Sequence, residues 1–280
     1  VTGRIKAKNI ILASGSVPAR PKALAIDGKN ILTSNEILAI KELPESLLVI
    51  GGGYIGCEFA GIFATLGSRV TVVEALPQIL SLSDRQIVRE VEKSFKERDV
   101  DIHVDTAVES LKVTDDGVLA KFGDHEQVFA KVLVAVGRVP NSAGLNLEEH
   151  GVKTENGAIK VDDRMQTSAA NIYAIGDVTG GIQLAHVASY QAGVAVANAL
   201  GDDEKADYSV VPSAIFTLPE IGQVGLTEAE CKEKGVEVNV GRFAYMASGK
   251  ALCDGEGRGS IKIMAEKESG KIVGAAIVGE

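Results

Sequence analysis

Tryptophan is absent from this chain, aromatic residues make up only 4% of it, and cysteine, histidine and methionine number 3, 4 and 3. So few aromatics leave no stacking platform for the bases of a single-stranded nucleic acid. Lysine and arginine number 29 against 38 aspartates and glutamates, a formal charge of −9, and no basic stripe gathers them. Nucleic-acid binding is therefore a poor reading. Cys57, Cys231 and Cys253 lie too far apart for a zinc spacing or a disulfide framework. No apolar run is long enough to span a bilayer. No secretory signal opens the chain, and the expected location is the cytoplasm. What remains is an ordinary globular balance, 45% hydrophobic and 24% charged, over 280 residues. That length suits roughly two domains. The chain begins with Val1 rather than Met and ends at Glu280, straight after the strand-like run IVGAAIVG. The expectation is an internal piece of a longer protein.

The order of elements is legible from periodicity. Residues 4–12 read as a strand running into the turn ASGS. Thr33 with Glu36 three residues later forms a capping box for a short helix. Leu47 to Ile50 is apolar and bounded by glycine, as in a buried parallel strand. Residues 54–66 have helical spacing, 69–74 read as a second strand, and 84–98 as an amphipathic helix with Ile87, Val91 and Phe95 on one face. Between 102 and 136 the rhythm shortens to alternating runs with a DDG turn at 115–117, which predicts antiparallel strands. A β-rich stretch follows, with IKV at 159–161 and IYAIGD at 172–177, then an Ala-rich helix at about 185–200. An acidic linker, DDEKAD, precedes a third region with a helix near 228–234 and strands at its end.

One loop carries chemistry. The strand LLVIG runs into Gly51-Gly52-Gly53-Tyr54-Ile55-Gly56, a G-x-G-x-x-G followed at once by a helix. The first glycine permits the tight turn, the second lets the backbone approach a pyrophosphate, and the third lets helix and strand pack closely. The helix N-terminus offers free N–H groups and a positive dipole end to the phosphates. Glu74 ends the second strand, 23 positions after Gly51. A carboxylate there accepts both ribose hydroxyls and repels a 2′-phosphate. No basic residue follows closely, so the reading is NAD(H) rather than NADP(H). The bland alternative is a packing cluster of glycines with a solvent-facing Glu74.

The segment GGGYIGCEFAGIFATLGSRVTVVE resembles the NAD-binding part of the flavin-dependent pyridine nucleotide–disulfide oxidoreductases. Four further motifs agree in family order: ILASGS at 11–16, VAVGRVPN at 134–141, IYAIGDV at 172–178 and PSAIFTLPEIGQVGLTE at 212–228. QLAHVASYQAG at 183–193 is most similar to the dihydrolipoamide dehydrogenase branch. The resemblance covers essentially the whole chain. It implies an α/β fold of Rossmann-like, doubly wound FAD- and NAD(P)-binding domains, plus the start of an α+β interface (dimerisation) domain. The partition it implies is 1–43 with 144–207 for FAD, 44–143 for NAD, and 208–280 for the interface.

The resemblance also implies roles. Ala13, Ser14 and Gly15 sit against FAD, Asp177 holds its ribityl or pyrophosphate region, and Gln183, Leu184, Ala185 and His186 line the flavin. Gly51, Gly52, Gly53, Tyr54, Ile55, Gly56 and Glu74 hold NAD, while Val108 and Gly137 touch its two ends through backbone atoms. Tyr54 lies over the flavin where nicotinamide stacks, and Glu58 approaches the flavin and pairs with a lysine outside this chain. Each has a plainer reading: a turn cap for Asp177, a helix-dipole partner for Glu58, a packed aromatic for Tyr54. Arg138 either neutralises NAD phosphates or pairs with a carboxylate. His103, His125 and His150 read as solvent residues, and Cys57 as a small buried hydrophobe.

The family's redox pair, two cysteines four residues apart, and its C-terminal histidine base are not among these residues. The expectation is that the parent passes electrons among NADH, FAD, a disulfide and lipoamide, and that this chain alone does not. The resemblance implies a homodimer, a lipoamide or dihydrolipoamide-bearing partner protein, and an acyltransferase partner in a 2-oxo acid dehydrogenase or glycine cleavage complex. Other readings are an NAD-binding core without turnover, a mercuric or glutathione reductase-like protein, and an NADH oxidase. Glu74 argues against the NADPH-linked glutathione reductases.

Overall fold

The computed structural model describes residue 3 and residues 5–279. They divide into two compact units, 1–19 with 138–211, and 20–137 with 212–280.

The larger unit is built on a five-stranded parallel sheet in the order Ile31–Leu32, Lys131–Val134, Ser46–Ile50, Arg69–Val73, Asp101–His103. Every residue of Ser46–Ile50 is buried, as a central parallel strand requires. The run QVFAKVLVAVG does not behave as one antiparallel piece. His125–Phe129 completes a three-stranded antiparallel sheet with Val108–Thr114 and Gly117–Phe122, whereas Lys131–Val134 crosses back to lie parallel beside Ser46–Ile50. Its side chains are buried on both faces, and two-sided burial selects the parallel interior over a half-solvated hairpin. The segment 20–43 joins this unit because Ile31–Leu32 pairs with Lys131–Val134.

The helix Tyr54–Thr65 follows the first strand at once. The helix Arg85–Glu97 buries Ile87, Val91 and Phe95 and is capped by Asp84, whose carboxylate accepts from the Gln86 N–H. Residues 212–280 add a five-stranded antiparallel sheet in the order Pro212–Ile215, Ile221–Gly225, Ile272–Val278, Ser260–Glu266, Val238–Ala244. Ile215, Ile221, Ala276 and Val278 share one apolar core with Leu47, Val72 and Phe95. Across the same boundary Lys262 Nζ lies 2.7 Å from Asp84 Oδ2 and also pairs with Glu228. Both Lys262 and Asp84 are buried.

The smaller unit pairs Ile10–Leu12 in parallel with Ile172–Ala174, and Ser16–Pro18 antiparallel to Arg138–Pro140. Its first strand is shorter than the sequence suggests, three residues within 4–12, and Arg4 lies outside the described residues. The helix Ala185–Leu200 begins and ends where its apolar spacing predicts, with Gly201 left-handed at its end. Residues 202–207 form neither helix nor strand.

The short helix Ser34–Ile37 carries the capping box: Thr33 accepts from the Asn35 N–H, and Glu36 Oε2 accepts from the Thr33 N–H at 2.8 Å. The Thr33 hydroxyl is the main cause that holds the Glu36 carboxyl down at about 2 from an ordinary 4.5, with its backbone N–H and Arg20 adding to it. A carboxyl depressed in the fold adds stability above its unfolded pKa and loses it as pH falls through the folded one. Thr33→Ala is therefore expected to cost about 1 kcal/mol at neutral pH. That cost should shrink between pH 4.5 and about 2. Urea midpoints measured across this range check it; a cost independent of pH would refute the Glu36 coupling.

Candidate dinucleotide site

The G-x-G-x-x-G loop leaves the C-terminal end of Ser46–Ile50. From that strand the sheet grows one way through Arg69–Val73 and the other way through Lys131–Val134. Such a switch point opens a crevice outside the strand ends, where open α/β sheets bind ligands. Steric demands on the glycines differ. A Cβ at Gly51 would come 2.5 Å from the Ala135 carbonyl oxygen, and one at Gly56 would come 1.9 Å from the Gly51 oxygen. A Cβ at Gly52 would meet Ile79 Cγ2 at 2.7 Å. These glycines are required by the protein's own packing. Gly53 is exposed, has extended backbone at φ −74, and its Cβ would meet nothing within 4 Å. Nothing in the fold demands glycine there, so the open face suits the close approach of an external group. The residues present thus fit a dinucleotide pyrophosphate. Ile55 sits half-buried in the first turn of the helix.

Glu74 is half-buried at the end of Arg69–Val73. Its Oε2 accepts from the Gly52 N–H at 2.6 Å and its Oε1 from the Leu76 N–H at 2.8 Å. The carboxylate is thereby held against the loop, each oxygen keeping lone-pair capacity for a further donor. The Glu74 N–H donates to the His103 carbonyl at 2.8 Å and its carbonyl accepts from Thr106 N–H at 3.0 Å, which anchors the strand end. Val108 begins the next strand, half-buried against an apolar core that contains Phe122. Gly137 follows Lys131–Val134 with a left-handed φ of 112 and open space where its Cβ would stand.

Tyr54 packs half-buried on the core beside the loop, and burial pushes its phenol upward. Glu58, one turn on, accepts from the Phe216 N–H through Oε1 at 2.9 Å. Its carboxylate therefore meets the segment that leaves Pro212–Ile215.

In the smaller unit the resemblance-derived residues form a second polar cluster. Ser16 Oγ donates to Asp177 Oδ2 at 2.5 Å and accepts from Arg138 Nε at 2.7 Å; Arg138 Nη2 also reaches the Ser16 carbonyl at 2.7 Å. Arg138 thus holds Asp177 through a serine. Ser14 and Asn141 are cross-linked, Ser14 Oγ to the Asn141 carbonyl at 2.7 Å and Asn141 Nδ2 to the Ser14 carbonyl at 3.1 Å. Gly15 takes a left-handed φ of 71 beside exposed Ala13, and its carbonyl accepts from the Asn141 N–H. Asp177 lies in the single turn Gly176–Thr179, and the Gly176 N–H donates to buried Gln191 at 2.6 Å. Gln183, Leu184, Ala185 and His186 run into the first turn of Ala185–Leu200. Gln183, Ala185 and His186 are exposed and Leu184 is half-buried.

Comparison with known protein families matches residues 1–192 to the pyridine nucleotide-disulphide oxidoreductases and residues 211–280 to the dimerisation domain of that family. The chain belongs to this family of oxidoreductases. Among curated relatives, a dihydrolipoyl dehydrogenase of Bacillus subtilis is 40% identical over 276 residues, covering 98% of this chain and 60% of the relative. One from Chlamydia muridarum is 41% identical over 278 residues, with the same shares. The chain therefore spans about 60% of the length of the curated relatives it matches. Among solved structures, the Cu(II) complex of the HOCl-induced flavoprotein disulfide reductase RclA from Escherichia coli superposes with a TM-score of 0.91 at 32% identity, over 97% of this chain and 64% of that one. LpdA from Mycobacterium tuberculosis gives 0.90 at 30% identity, over 98% and 60%.

Within this family member, sequence reasoning missed three contributors. Ser16 and Gln191 lie in the motifs at 11–16 and 183–193 but have no role read from them there, and only the pairing of Ser16–Pro18 with Arg138–Pro140 brings Ser16 to Arg138. Cys57 is buried, as its spacing predicts, but its Sγ also donates to the Gly52 carbonyl at 3.3 Å. His125 and His150 are exposed as expected. His103 is not a solvent residue: its ring packs 5.2 Å from Phe122 and 4.6 Å from His125 and bonds Asp101, because it ends a strand beside the antiparallel sheet. Among the described residues no group of three His, Cys, Asp or Glu could hold a metal, and no helix is long and apolar enough to cross a membrane.

Proposed function

We propose that this chain is the NAD(H)-binding and flavin-side core of a dihydrolipoamide dehydrogenase. The observation that carries the reading is the loop at the switch point. It combines an exposed Gly53 with no protein contact to require it and a Glu74 carboxylate fixed beside it by two backbone donors. The pyrophosphate rests on the loop and the N-terminus of Tyr54–Thr65, where unpaired N–H groups and the helix dipole favour an anion. Glu74 accepts the adenosine ribose hydroxyls and excludes a 2′-phosphate by charge. Val108 and Gly137 border the two ends of the bound dinucleotide, Tyr54 gates the nicotinamide position, and Glu58 supports it.

Ala13, Ser14, Gly15, Asp177 and Gln183 to His186 hold FAD, with Asp177 kept in orientation by Ser16 and Arg138. Bound FAD supplies the two-electron relay between nicotinamide and a disulfide. The names of the 40%-identical relatives support dihydrolipoamide as the parent's substrate. Free lipoamide or a lipoyl-bearing protein, an acyltransferase partner, a homodimer formed through 208–280 and a cytoplasmic location complete the proposal.

The test is a fluorescence titration with NADH and NADPH. The chain is expected to prefer NADH. Glu74→Arg is expected to weaken NADH by about tenfold, a loss of about 1.4 kcal/mol, and to strengthen NADPH. Unchanged selectivity would remove Glu74 from the ribose site.

A further inference from the structure

We propose that Cys57 is a positioning residue for the dinucleotide: by holding the Gly52 carbonyl inward, its thiol turns the Gly53 N–H outward toward the phosphates. The inference rests on the NAD(H) reading above.

The Gly52 carbonyl accepts from the Leu80 N–H at 2.7 Å and from Cys57 Sγ at 3.3 Å. On the other side of the same residue, the Gly52 N–H is held by Glu74 Oε2 at 2.6 Å. Both peptide planes that meet at Gly52 are therefore fixed. A trans peptide is planar, with its C=O and N–H pointing in opposite directions. With the Gly52 oxygen directed to Leu80 and Cys57, the next N–H, that of Gly53, must face the other way. That is the exposed side of the loop, where a Cβ on Gly53 would meet no atom within 4 Å. A peptide flip there would aim a carbonyl at the phosphates and a buried donor at Leu80, reversing the electrostatics of the loop.

Cys57 is suited to this task. It stands one turn into Tyr54–Thr65, which brings its side chain back over the loop. Burial, with the Glu74 and Glu58 charges, pushes its thiol well above the ordinary range, so it stays a protonated donor at neutral pH. A thiol is a weak donor, and the expected effects are correspondingly modest.

Three variants of the 280-residue chain separate positioning from packing: Cys57→Ser keeps a donor, Cys57→Ala removes it with the volume, and Cys57→Val removes it but fills the space. NADH dissociation constants and melting temperatures are measured for each. The serine variant is expected to bind within about twofold of the starting chain, while alanine and valine weaken binding by about threefold or more. If valine restores binding and serine does not, Cys57 acts by packing and the proposal fails. If serine and alanine bind alike, donation is immaterial and it also fails. The serine–alanine comparison decides the matter even if the valine variant does not fold. A starting chain that binds no NADH overturns the NAD(H) reading itself, a result distinct from either failure.

Discussion

Gly56→Ala is expected to weaken NADH binding by about tenfold to a hundredfold. A Cβ there would stand 1.9 Å from the Gly51 carbonyl oxygen, a backbone atom that no rotamer change can move aside. Forcing a methyl group into such a contact costs about 1–3 kcal/mol. The strand Ser46–Ile50 is pinned by neighbours on both sides and cannot retreat. Strain is then relieved by lifting the loop or the helix start, the parts that would grip the pyrophosphate. About 1.4–2.8 kcal/mol of that cost expressed in binding is tenfold to a hundredfold. Gly53→Ala provides the contrast. Its Cβ enters open space, so its melting temperature should not change, yet the methyl group occupies the face proposed for the ligand. Together the two variants divide the loop into glycines the fold needs and a glycine the ligand needs. An NADH titration in which Gly56→Ala binds as tightly as the starting chain would sink the first assignment. A Gly53→Ala chain that binds normally would sink the second.

The loop, its strand and its helix were legible in the sequence because each rests on local rules. Four consecutive apolar residues between polar punctuation can only be buried on both faces, and the G-x-G-x-x-G spacing states its own geometry. The capping box at Thr33 and the helix at 85–97 follow from contacts within a few residues. Hidden from the sequence were features that depend on distant partners. Lys131–Val134 alternates too little to announce whether it is parallel, and its neighbour across the sheet is some 84 positions away. Ser16 becomes the hinge between Arg138 and Asp177 only through contacts 122 and 161 positions apart. The distance of Glu74 from Gly51 suggests the ribose role proposed above, but nothing in the sequence announces its clamp on the Gly52 N–H. The proposed nucleotide role and the observed structural role fall on one carboxylate, and only the first has a sequence signature.

Lys262→Met is expected to lose about 3–5 kcal/mol of stability, a larger effect than any surface charge in this chain should show. Lys262 lies mid-strand in Ser260–Glu266, where the run SIKIMAE gives no hint of a buried cation. Its side chain is 3% exposed and that of Asp84 is 5% exposed. Removing the ammonium leaves the Asp84 carboxylate buried with only its capping bond to the Gln86 N–H. The arithmetic of buried pairs is asymmetric: the intact pair roughly breaks even against apolar replacements, whereas a stranded charge is costly. Lys262→Met combined with Asp84→Asn should therefore recover most of the loss. Asparagine caps a helix about as well as aspartate and carries no charge. Glu228, on the exposed side, reports the same coupling. Lys262 is the main cause that holds its carboxyl below the ordinary range. In Lys262→Met that depression should weaken, Arg242 alone remaining to hold it, and with it the stability Glu228 adds above its unfolded pKa and loses on acidification. Urea denaturation of the two single variants and the double closes the cycle. Additive losses would mean that Lys262 and Asp84 do not depend on one another.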